Sequence, residues 1–288
     1  MKLPFTKMQG CGNDYVYVDT TRGNFSIPDK SALAVSVSDR HFGIGSDGLI
    51  FINPSPIADF EMEMYNADGS RSQMCGNGIR CVAKYVYDEG LAPGETFTIE
   101  SMGKIKYITV FPKGGKADTV RVDMGEPILE AAEIPVHSLL SPVIGEYMNI
   151  LGKDYRITCV SMGNPHAVVF SECFLEQGSE LQDFEIEKVG PLCERAAIFP
   201  MRTNTEFVQV VSRDYVKMRV WERGTGETLA CGTGCCATLV ACVLNGKTDR
   251  KITVEVLGGK LCVEWNEQDN HVYMTGPART VFAGEIEI

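Results

Sequence analysis

The chain contains one short motif twice, a cysteine followed by Gly-x-Gly and then by a long segment that ends on a glycine. The first copy, at 75–90, reads CGNGIRCVAKYVYDEG, and the second, at 231–246, reads CGTGCCATLVACVLNG. Apolar residues of the first copy recur at helical spacing, and the apolar run 235–244 of the second is too long for a typical strand. Each copy therefore predicts a buried helix, and its final glycine is the usual left-handed residue after a helix C-terminus.

The repeat extends beyond the two motifs, which indicates two copies of one α/β unit. The matching segments are 12–13 with 163–164, 65–66 with 221–222, and 97–100 with 252–255. A chain of 288 residues suits two domains of ordinary size. We predict a first domain at 1–124, to which 277–288 returns as a last strand, and a second domain at 125–276.

Each motif places its cysteine, Cys75 or Cys231, at the N-terminal end of its predicted helix. Backbone N–H groups without helical partners and the positive end of the helix dipole lie there. Such a position lowers the pKa of a thiol and also binds anions. We therefore expect each unit to present one reactive thiol beside an anion-binding helix terminus.

Composition and charge exclude several classes of partner. The net charge of −11 argues against nucleic acid, since phosphate binding needs clustered Lys and Arg. No apolar run approaches the ~20 residues that span a membrane, and the N-terminus has no signal-peptide apolar core. We expect a cytoplasmic protein with no membrane partner.

The eleven cysteines are an odd number in a chain without a secretion signal, which argues against a disulfide framework. Most are expected to be small buried apolar residues; this applies to Cys81, Cys235, Cys236, Cys242 and Cys262. No C-x-x-C pair occurs and no histidine lies near either motif, so we expect no metal site.

The remaining segments read as strands, short helices and turns. Residues 3–20 are expected to form one strand interrupted at 9–13, where Cys11 is a third thiol of structural or substrate-adjacent character. Asn13 is either a polar contact to a ligand or a turn residue bonded to its own backbone. A glycine-rich loop at 43–48 lacks the spacing of a dinucleotide fingerprint. The segment TNTE at 203–206 is expected to precede a strand at 207–211.

Two thiols at helix N-termini in units related by a pseudo-twofold axis suit one kind of chemistry. The N–H groups of Gly76, Asn77, Gly232 and Thr233 would bind one carboxylate. One thiolate would then remove the proton from the adjacent carbon while the opposite thiol delivers another, which inverts a stereocentre. No lysine with a phosphate cup and a pyridinium partner is identifiable, so we expect no cofactor.

Five motifs in order give the chain a family resemblance: NADGS at 66–70, MCGNGIR at 74–80, MGNPH at 162–166, TN at 203–204 and ERGTGETLACGTG at 222–234. Over essentially its whole length the chain resembles the diaminopimelate epimerases. These enzymes interconvert LL- and meso-diaminopimelate without a cofactor, in the biosynthesis of lysine and of peptidoglycan precursors. The resemblance implies an α/β (α+β) fold of two pseudo-symmetric domains, each a curved, mostly antiparallel sheet around a central helix. It also implies a possible homodimer.

The resemblance also implies roles for individual residues. Cys75 and Cys231 would be the acid/base pair. The reacting carboxylate would be bound by Gly76, Asn77, Gly232 and Thr233. Asn13 would lie near the reacting amino group. The far end of the substrate would be bound by Asn66, Asn164, Asn204 and Arg223. Glu222 would bind the ammonium group at that end. His166 is either close to the site, as in the family, or a structural histidine after a proline turn.

One position departs from the family pattern. Many members have Gln where this chain has Gly48, and that Gln is associated with the reacting end of the substrate. Ser46 and Asp47 are the residues expected to compensate for it.

Three alternatives stay open at this point. A proline or hydroxyproline racemase of the same fold would have no need for Arg223 and the three asparagines of the far end. An isomerase of the phenazine-pathway type usually lacks the paired cysteines. A thiol redox or binding protein would instead use a Cys75–Cys231 disulfide as a switch. Separately, Glu222 and Arg223 could be a solvated ion pair beside a turn.

Overall fold

The structure is a computed structural model that describes residues 2–23, 27–72 and 75–288. Its strands are β1 (Lys2–Gly10), β2 (Asn13–Asp19), β3 (Gly48–Asn53), β4 (Phe60–Asn66), β5 (Arg71–Ser72), β6 (Thr96–Ser101), β7 (Lys104–Lys113), β8 (Lys116–Gly125), β9 (Glu146–Ile150), β10 (Lys153–Ser161), β11 (Pro165–Phe170), β12 (Asn204–Ser212), β13 (Tyr215–Glu222), β14 (Gly226–Thr228), β15 (Lys251–Val256), β16 (Gly259–Trp265), β17 (Val272–Pro277) and β18 (Arg279–Glu287). Its α-helices are α1 (Lys30–Ser38), α2 (Gly76–Asp88), α3 (Ile186–Glu194) and α4 (Gly232–Leu244), and short 3₁₀ helices cover Ser171–Cys173 and Leu181–Asp183. Met74, in the motif before α2, lies outside the described residues.

The chain divides into two compact units, 1–123 with 275–288, and 124–274. In the first unit β1 pairs antiparallel with β18 and β2, β2 runs parallel to β3, and β3 runs antiparallel to β4. β4 pairs with the short β5 and runs parallel to β6, and β6, β7 and β8 follow in antiparallel order. The sheet is thus mostly antiparallel, with two parallel pairs.

The second unit repeats this order of pairings. β9 and β10 are antiparallel, as are β10 and β11, and β11 runs parallel to β12. β12 is antiparallel to β13, which pairs with the short β14 and runs parallel to β15, and β15 is antiparallel to β16. The two parallel pairs therefore occur at the same points of both units, as the internal repeat in the sequence indicates.

The helix that follows each cysteine is buried on all sides. In α2 every residue from Gly76 to Lys84 is buried, and in α4 every residue from Gly234 to Cys242. α2 contacts β1, β2, β7 and β18, and α4 contacts β10, β11, β12, β15 and β16. α4 is largely apolar, as expected of a helix that strands enclose, whereas α2 also buries Arg80 and Lys84. The sequence prediction of two buried helices is confirmed.

Both helices end as their terminal glycines predict. Gly90 and Gly246 have the same left-handed φ of 67°. The next residue donates its N–H back into the last turn, from Leu91 to the Val86 oxygen at 2.8 Å and from Lys247 to the Cys242 oxygen at 2.9 Å. Both ends therefore have the glycine-based C-terminal cap.

The predicted single strand at 3–20 is wrong. β1 and β2 form an antiparallel hairpin in which Gly10 pairs with Asn13. Cys11 and Gly12 between them have φ values of 53° and 84°, a left-handed pair that reverses the chain. The glycine-rich interruption is therefore the turn, and it brings Asn13 back beside β1.

No helix in the described part of the chain is both long enough and apolar enough to span a membrane. Each of the eleven cysteines is a free thiol.

Candidate active site

Cys75 is the N-terminal cap of α2. Its backbone is extended, with φ −132° and ψ 108°, and its carbonyl accepts the N–H of Ile79 at 2.9 Å. Its sulfur accepts the N–H of Gly78 at 3.2 Å and donates to Oδ1 of Asn13 at 3.1 Å. The thiol therefore does what a serine or aspartate does at other helix starts, which is to satisfy a first-turn N–H.

Burial dominates the electrostatics of Cys75. It raises the pKa of this thiol above its usual value, while the Gly78 and Asn77 N–H groups, the Tyr15 hydroxyl and the Arg80 guanidinium act in the opposite direction. The expectation that the helix terminus lowers this pKa is therefore reversed. Partial removal of this half-buried side chain from water disfavours the thiolate more than the helix terminus favours it.

Arg80 is a fully buried cation one turn into α2. Its Nη1 donates to the Gly76 carbonyl oxygen at 3.0 Å, and its Nη2 donates to Oδ1 of Asn77 at 2.9 Å. Its Nη2 also lies 3.9 Å from the sulfur of Cys11. Arg80 thus fixes the side chain of Asn77 and places a positive charge beneath Cys75, while Cys11 contacts this buried guanidinium.

Cys231 caps α4 in the same backbone conformation, with φ −113° and ψ 110°, and its carbonyl accepts the N–H of Cys235 at 3.0 Å. Its sulfur lies 3.5 Å from Oγ1 of Thr233. Burial raises the pKa of this thiol well above its usual value, and the nearby Glu222 and Glu206 raise it further. The expectation of a lowered pKa is therefore wrong for Cys231 as well.

The residues predicted to bind a carboxylate begin the two helices. Gly76 and Asn77 open α2, and Gly232 and Thr233 open α4. Helical geometry gives the first N–H groups of a helix no carbonyl partner within it. Each cysteine is thus followed directly by backbone donors of the kind that bind anions.

Asn13 joins Cys75 to an acidic side chain. Its Oδ1 accepts from the thiol, and its Nδ2 donates to Oδ2 of Asp47 at 2.7 Å. Asp47 also accepts the Asp14 N–H at 3.0 Å and the Arg40 guanidinium at 2.9 Å. The amide of Asn13 is therefore held in one orientation beside the sulfur.

A polar cluster in the second unit contains four of the predicted residues. His166 contacts Oδ1 of Asn164 through Nε2 at 3.1 Å. Asn204, which pairs with His166 across parallel strands, donates to the Pro165 oxygen at 2.8 Å and accepts the Arg223 N–H at 2.9 Å. One strand pairing therefore aligns Asn164, His166, Asn204 and Arg223.

The other residues predicted to bind the far end of the substrate each make a hydrogen bond within their own unit. Arg223 is exposed and its Nη1 donates to the Met201 carbonyl oxygen at 3.0 Å. Glu222 accepts a hydrogen bond from the Thr228 hydroxyl. Asn66 lies in the first unit, where its Nδ2 donates to Oγ of Ser70 at 2.9 Å.

Glu206 is the residue that sequence reasoning missed. β12 begins at Asn204 rather than at Phe207, so Glu206 lies inside the strand and not before it. Its side chain is fully buried, and its Oε1 lies 2.7 Å from Nδ1 of His166. The local sequence did not mark this residue, because Glu206 follows the polar residues Asn204 and Thr205. A buried charged residue needs a partner, which here is His166.

Gly48 leaves no room for the family glutamine. A side chain there would overlap the Tyr65 carbonyl oxygen and would lie 3.0 Å from the Tyr15 ring. Ser46 faces the interior, where its hydroxyl donates to the Gly48 oxygen at 2.9 Å, whereas Asp47 reaches Asn13. Of the two expected substitutes, only Asp47 therefore contacts another predicted site residue.

We expect Gly48→Gln to lower the free energy of unfolding by about 3 kcal/mol or to prevent folding, because overpacking of a rigid site costs on this scale. Urea titration measures the effect. Gly94→Gln is the matched control, since a Cβ at Gly94 meets nothing within 4 Å, and we expect a change of less than about 0.5 kcal/mol for it. A Gly48→Gln protein as stable as the control would contradict the packing described here.

Within residues 2–23, 27–72 and 75–288, no group of three or more His, Cys, Asp and Glu side chains is arranged to hold a metal ion.

A sequence profile of the family described as diaminopimelate epimerase matches residues 5–130 and 158–281. The chain belongs to the diaminopimelate epimerase family. A protein named diaminopimelate epimerase from Methanococcus maripaludis is 54% identical over 99% of this chain and 100% of its own. Proteins of the same name from Agathobacter rectalis and Acetivibrio thermocellus are also 54% identical, with 99% or more of both sequences covered in each case.

Solved structures confirm the fold of this diaminopimelate epimerase family member. A phenazine biosynthesis protein of the PhzF family from Bacillus anthracis gives a TM-score of 0.70 at 15% identity, covering 100% of both chains. A hydroxyproline epimerase from Agrobacterium vitis gives 0.67 at 14% identity, covering 99% of this chain and 91% of its own. At these identities both share the fold alone with this chain.

Family membership also establishes the class of enzyme. The chain is an isomerase of the epimerase type, as the paired cysteine motifs and the order of the five family motifs indicate. The racemase and phenazine-pathway alternatives are relatives in fold.

Proposed function

We propose that this enzyme interconverts LL- and meso-2,6-diaminopimelate by proton transfer at one α-carbon, with Cys75 and Cys231 as its two acid/base groups. The observation that supports this most directly is the matched backbone position of the two cysteines. Each caps a buried helix with its backbone extended, and each is followed by first-turn N–H donors. The relatives named diaminopimelate epimerase support the choice of substrate.

The reaction balances with two sulfurs and no other reagent. One thiolate takes the α-proton, and the electron pair of the broken C–H bond moves into the adjacent carboxylate. The other thiol then gives its proton to the opposite face of the carbon and becomes a thiolate. Configuration is inverted, and the two sulfurs have exchanged their protonation states.

Stabilisation of the carbanion is the main energetic demand. We propose that the N–H groups of Gly76 and Asn77 in one unit and of Gly232 and Thr233 in the other bind the reacting carboxylate. Fixed backbone donors stabilise charge as it develops, because they need no reorganisation at the moment of reaction. The loss of one such donor costs about 3 kcal/mol in comparable sites.

The raised thiol pKa values suit a weak carbon acid. A base removes a proton more effectively when its own pKa is closer to that of the acid. Burial of Cys75 and Cys231 therefore produces thiolates that are less abundant and more basic than an exposed one. Asn13, whose amide is held by Asp47, is proposed to receive the reacting amino group.

We propose that the far end of the substrate is bound by the polar cluster of the second unit, together with Asn66. A second amino acid group needs one cation, one anion and neutral hydrogen-bonding groups. Arg223, Glu222 and the amides of Asn164 and Asn204 supply these. The exposed guanidinium of Arg223, tethered by the Met201 oxygen, supports this role because it stays accessible to a carboxylate.

The wider setting is also a proposal. We propose a cytoplasmic enzyme of lysine and peptidoglycan-precursor biosynthesis, on the strength of the named relatives. A homodimer, and a pseudo-twofold relation between domains 1–124 with 277–288 and 125–276, stay predictions. Light scattering and an experimental structure would test them.

Proton NMR in D2O with reduced protein tests the function directly. The panel is LL-diaminopimelate, meso-diaminopimelate, L-lysine, L-glutamate and L-proline. We expect the α-proton signal to disappear for the two diaminopimelates alone, because only they offer a second amino acid group. Exchange on proline instead would support the racemase alternative, and no exchange on any compound would support a thiol redox or binding protein.

A further inference from the structure

Ile50 and Glu206 occupy equivalent places in the two units. Ile50 pairs with Tyr17 across the parallel strands β2 and β3, and Glu206 pairs with Val168 across the parallel strands β11 and β12. Each lies against the glycine three residues after the cysteine of its unit. The atom nearest to a Cβ built on Gly78 is Cδ1 of Ile50 at 2.9 Å, whereas for Gly234 it is Oε1 of Glu206 at 2.7 Å.

This position brings Glu206 close to Cys231. The same Cβ point on Gly234 lies 2.7 Å from Oε1 of Glu206 and 3.3 Å from Sγ of Cys231, so these two atoms are at most about 6 Å apart, the sum of the two distances. In the first unit a methyl group of Ile50 occupies the corresponding place beside Cys75. An aliphatic side chain is therefore sufficient to pack this part of the fold.

The carboxyl group of Glu206 is costly where it lies. Its side chain has no exposed surface and its Oε1 contacts His166, while its Oε2 has no hydrogen-bond partner among the residues that the structure describes. A buried carboxyl oxygen without a donor costs free energy that an isoleucine would not. Because packing does not require this glutamate, its presence indicates a role in the chemistry.

Two carboxyl groups lie near Cys231. Oε1 of Glu206 is at most about 6 Å from its sulfur, and Glu206 and Glu222 both act against a thiolate there. The Thr233 hydroxyl and the Gly234 N–H act in the opposite direction.

The charged neighbour of Cys75 has the opposite sign. It is the buried guanidinium of Arg80, which favours a thiolate together with the N–H groups of Gly78 and Asn77 and the Tyr15 hydroxyl. Burial and the hydrogen bond that the thiol donates to Asn13 favour the protonated form. The residue at the place of Arg80 in the second motif, five positions after the cysteine, is Cys236, which has no guanidinium and is fully buried.

We propose that Glu206 is the positioning residue that keeps Cys231 protonated in the resting enzyme, so that Cys231 begins the cycle as the acid and Cys75 as the base. This inference rests on the proposed two-thiol function. Glu206 would thereby determine which thiol starts as the acid. The equivalent residue of the first unit, Ile50, is uncharged.

Site-resolved alkylation without substrate tests the proposal. The full-length reduced protein is treated with iodoacetamide across a pH series, and the labelling of Cys75 and Cys231 is followed by peptide mass spectrometry. The pH midpoint of labelling reports when a thiol ionises and does not depend on how accessible it is. In the wild type we expect a lower midpoint for Cys75 than for Cys231. In Glu206→Gln we expect Cys231 to label at least about tenfold faster at pH 7.5, the factor for one pKa unit, with the Cys75 midpoint unchanged.

Glu63→Gln is the control for loss of a buried carboxylate. Glu63 is 9% exposed and lies in the first unit, where it bonds to Lys30 and Tyr65, so the Cys231 midpoint should not move. An unchanged Cys231 midpoint in Glu206→Gln would overturn the proposal. If that variant does not fold, the labelling midpoints of the wild-type protein still test the proposal. A midpoint for Cys231 below that for Cys75 would also overturn it. A protein that lacks epimerase activity but shows the expected midpoints would refute the function and leave the charge assignment in place.

Discussion

Alanine at either Cys75 or Cys231 is expected to lower kcat/KM for epimerisation by about 10⁴-fold, because one proton transfer then has no group to perform it. General acid–base groups contribute about 10²- to 10⁴-fold each, and the upper end applies where water has little access to replace them. Cys231 is only 6% exposed, and burial raises the pKa of both thiols. The measurement is the initial rate of meso-diaminopimelate formation from the LL isomer.

The single-thiol variants also have a signature that loss of folding does not produce. In D2O the remaining thiol is expected to remove the α-proton and return a deuteron to the same face, giving slow exchange with retention of configuration. Proton NMR measures the exchange, and chiral chromatography measures the configuration. Inversion that keeps pace with exchange in a single-thiol variant would contradict the two-thiol mechanism.

Cys262→Ala is the matched control for these variants. Cys262 is half-buried on β16, outside both Cys-Gly-x-Gly motifs. We expect its kcat/KM to stay within about twofold of the wild type. Near-normal turnover in Cys75→Ala or Cys231→Ala would show that the proton is carried by another group.

Local patterns predicted the parts of this fold that local interactions determine. The two segments that begin with the Cys-Gly-x-Gly motifs form helices α2 and α4, as predicted. The glycines at 90 and 246 are their left-handed caps. The cysteine before each helix occupies its N-terminal cap position. In the described part of the chain the sulfur of Cys75 accepts a first-turn N–H, whereas the side chain of Cys231 makes no capping hydrogen bond.

Properties that depend on distant strands were not predictable in the same way. The turn at Cys11 and Gly12 looked like an interruption of one strand, because a local pattern of residues does not show which segments pair with each other. Glu206 was placed before its strand, and its contact with His166 spans 40 residues of sequence. The direction of the thiol pKa shifts was wrong because the sequence identified the helix terminus and could not measure the burial that outweighs it.

Arg223→Ala is expected to raise KM for diaminopimelate by about 100-fold and to leave kcat within a fewfold. A charged hydrogen bond to a carboxylate contributes about 1.5–3 kcal/mol, and an interaction remote from the reacting carbon stabilises substrate and transition state alike. Arg223 is positioned by its N–H on Asn204 and by the Met201 oxygen on its guanidinium, so its side chain needs little ordering on binding. Steady-state kinetics with both isomers measures the two constants.

Arg213→Ala removes the same charge from a different place and is the matched control. Arg213 lies at the turn between β12 and β13 and pairs with Asp249 at 2.8 Å, so its KM should stay near the wild-type value. Arg223→Lys should recover part of the affinity, because it keeps the charge and loses the planar two-donor geometry that matches a carboxylate. An unchanged KM in Arg223→Ala would place the far end of the substrate elsewhere. A fall in kcat with KM unchanged would mean that Arg223 acts on the reacting end, because only an interaction made in the transition state alone has that effect.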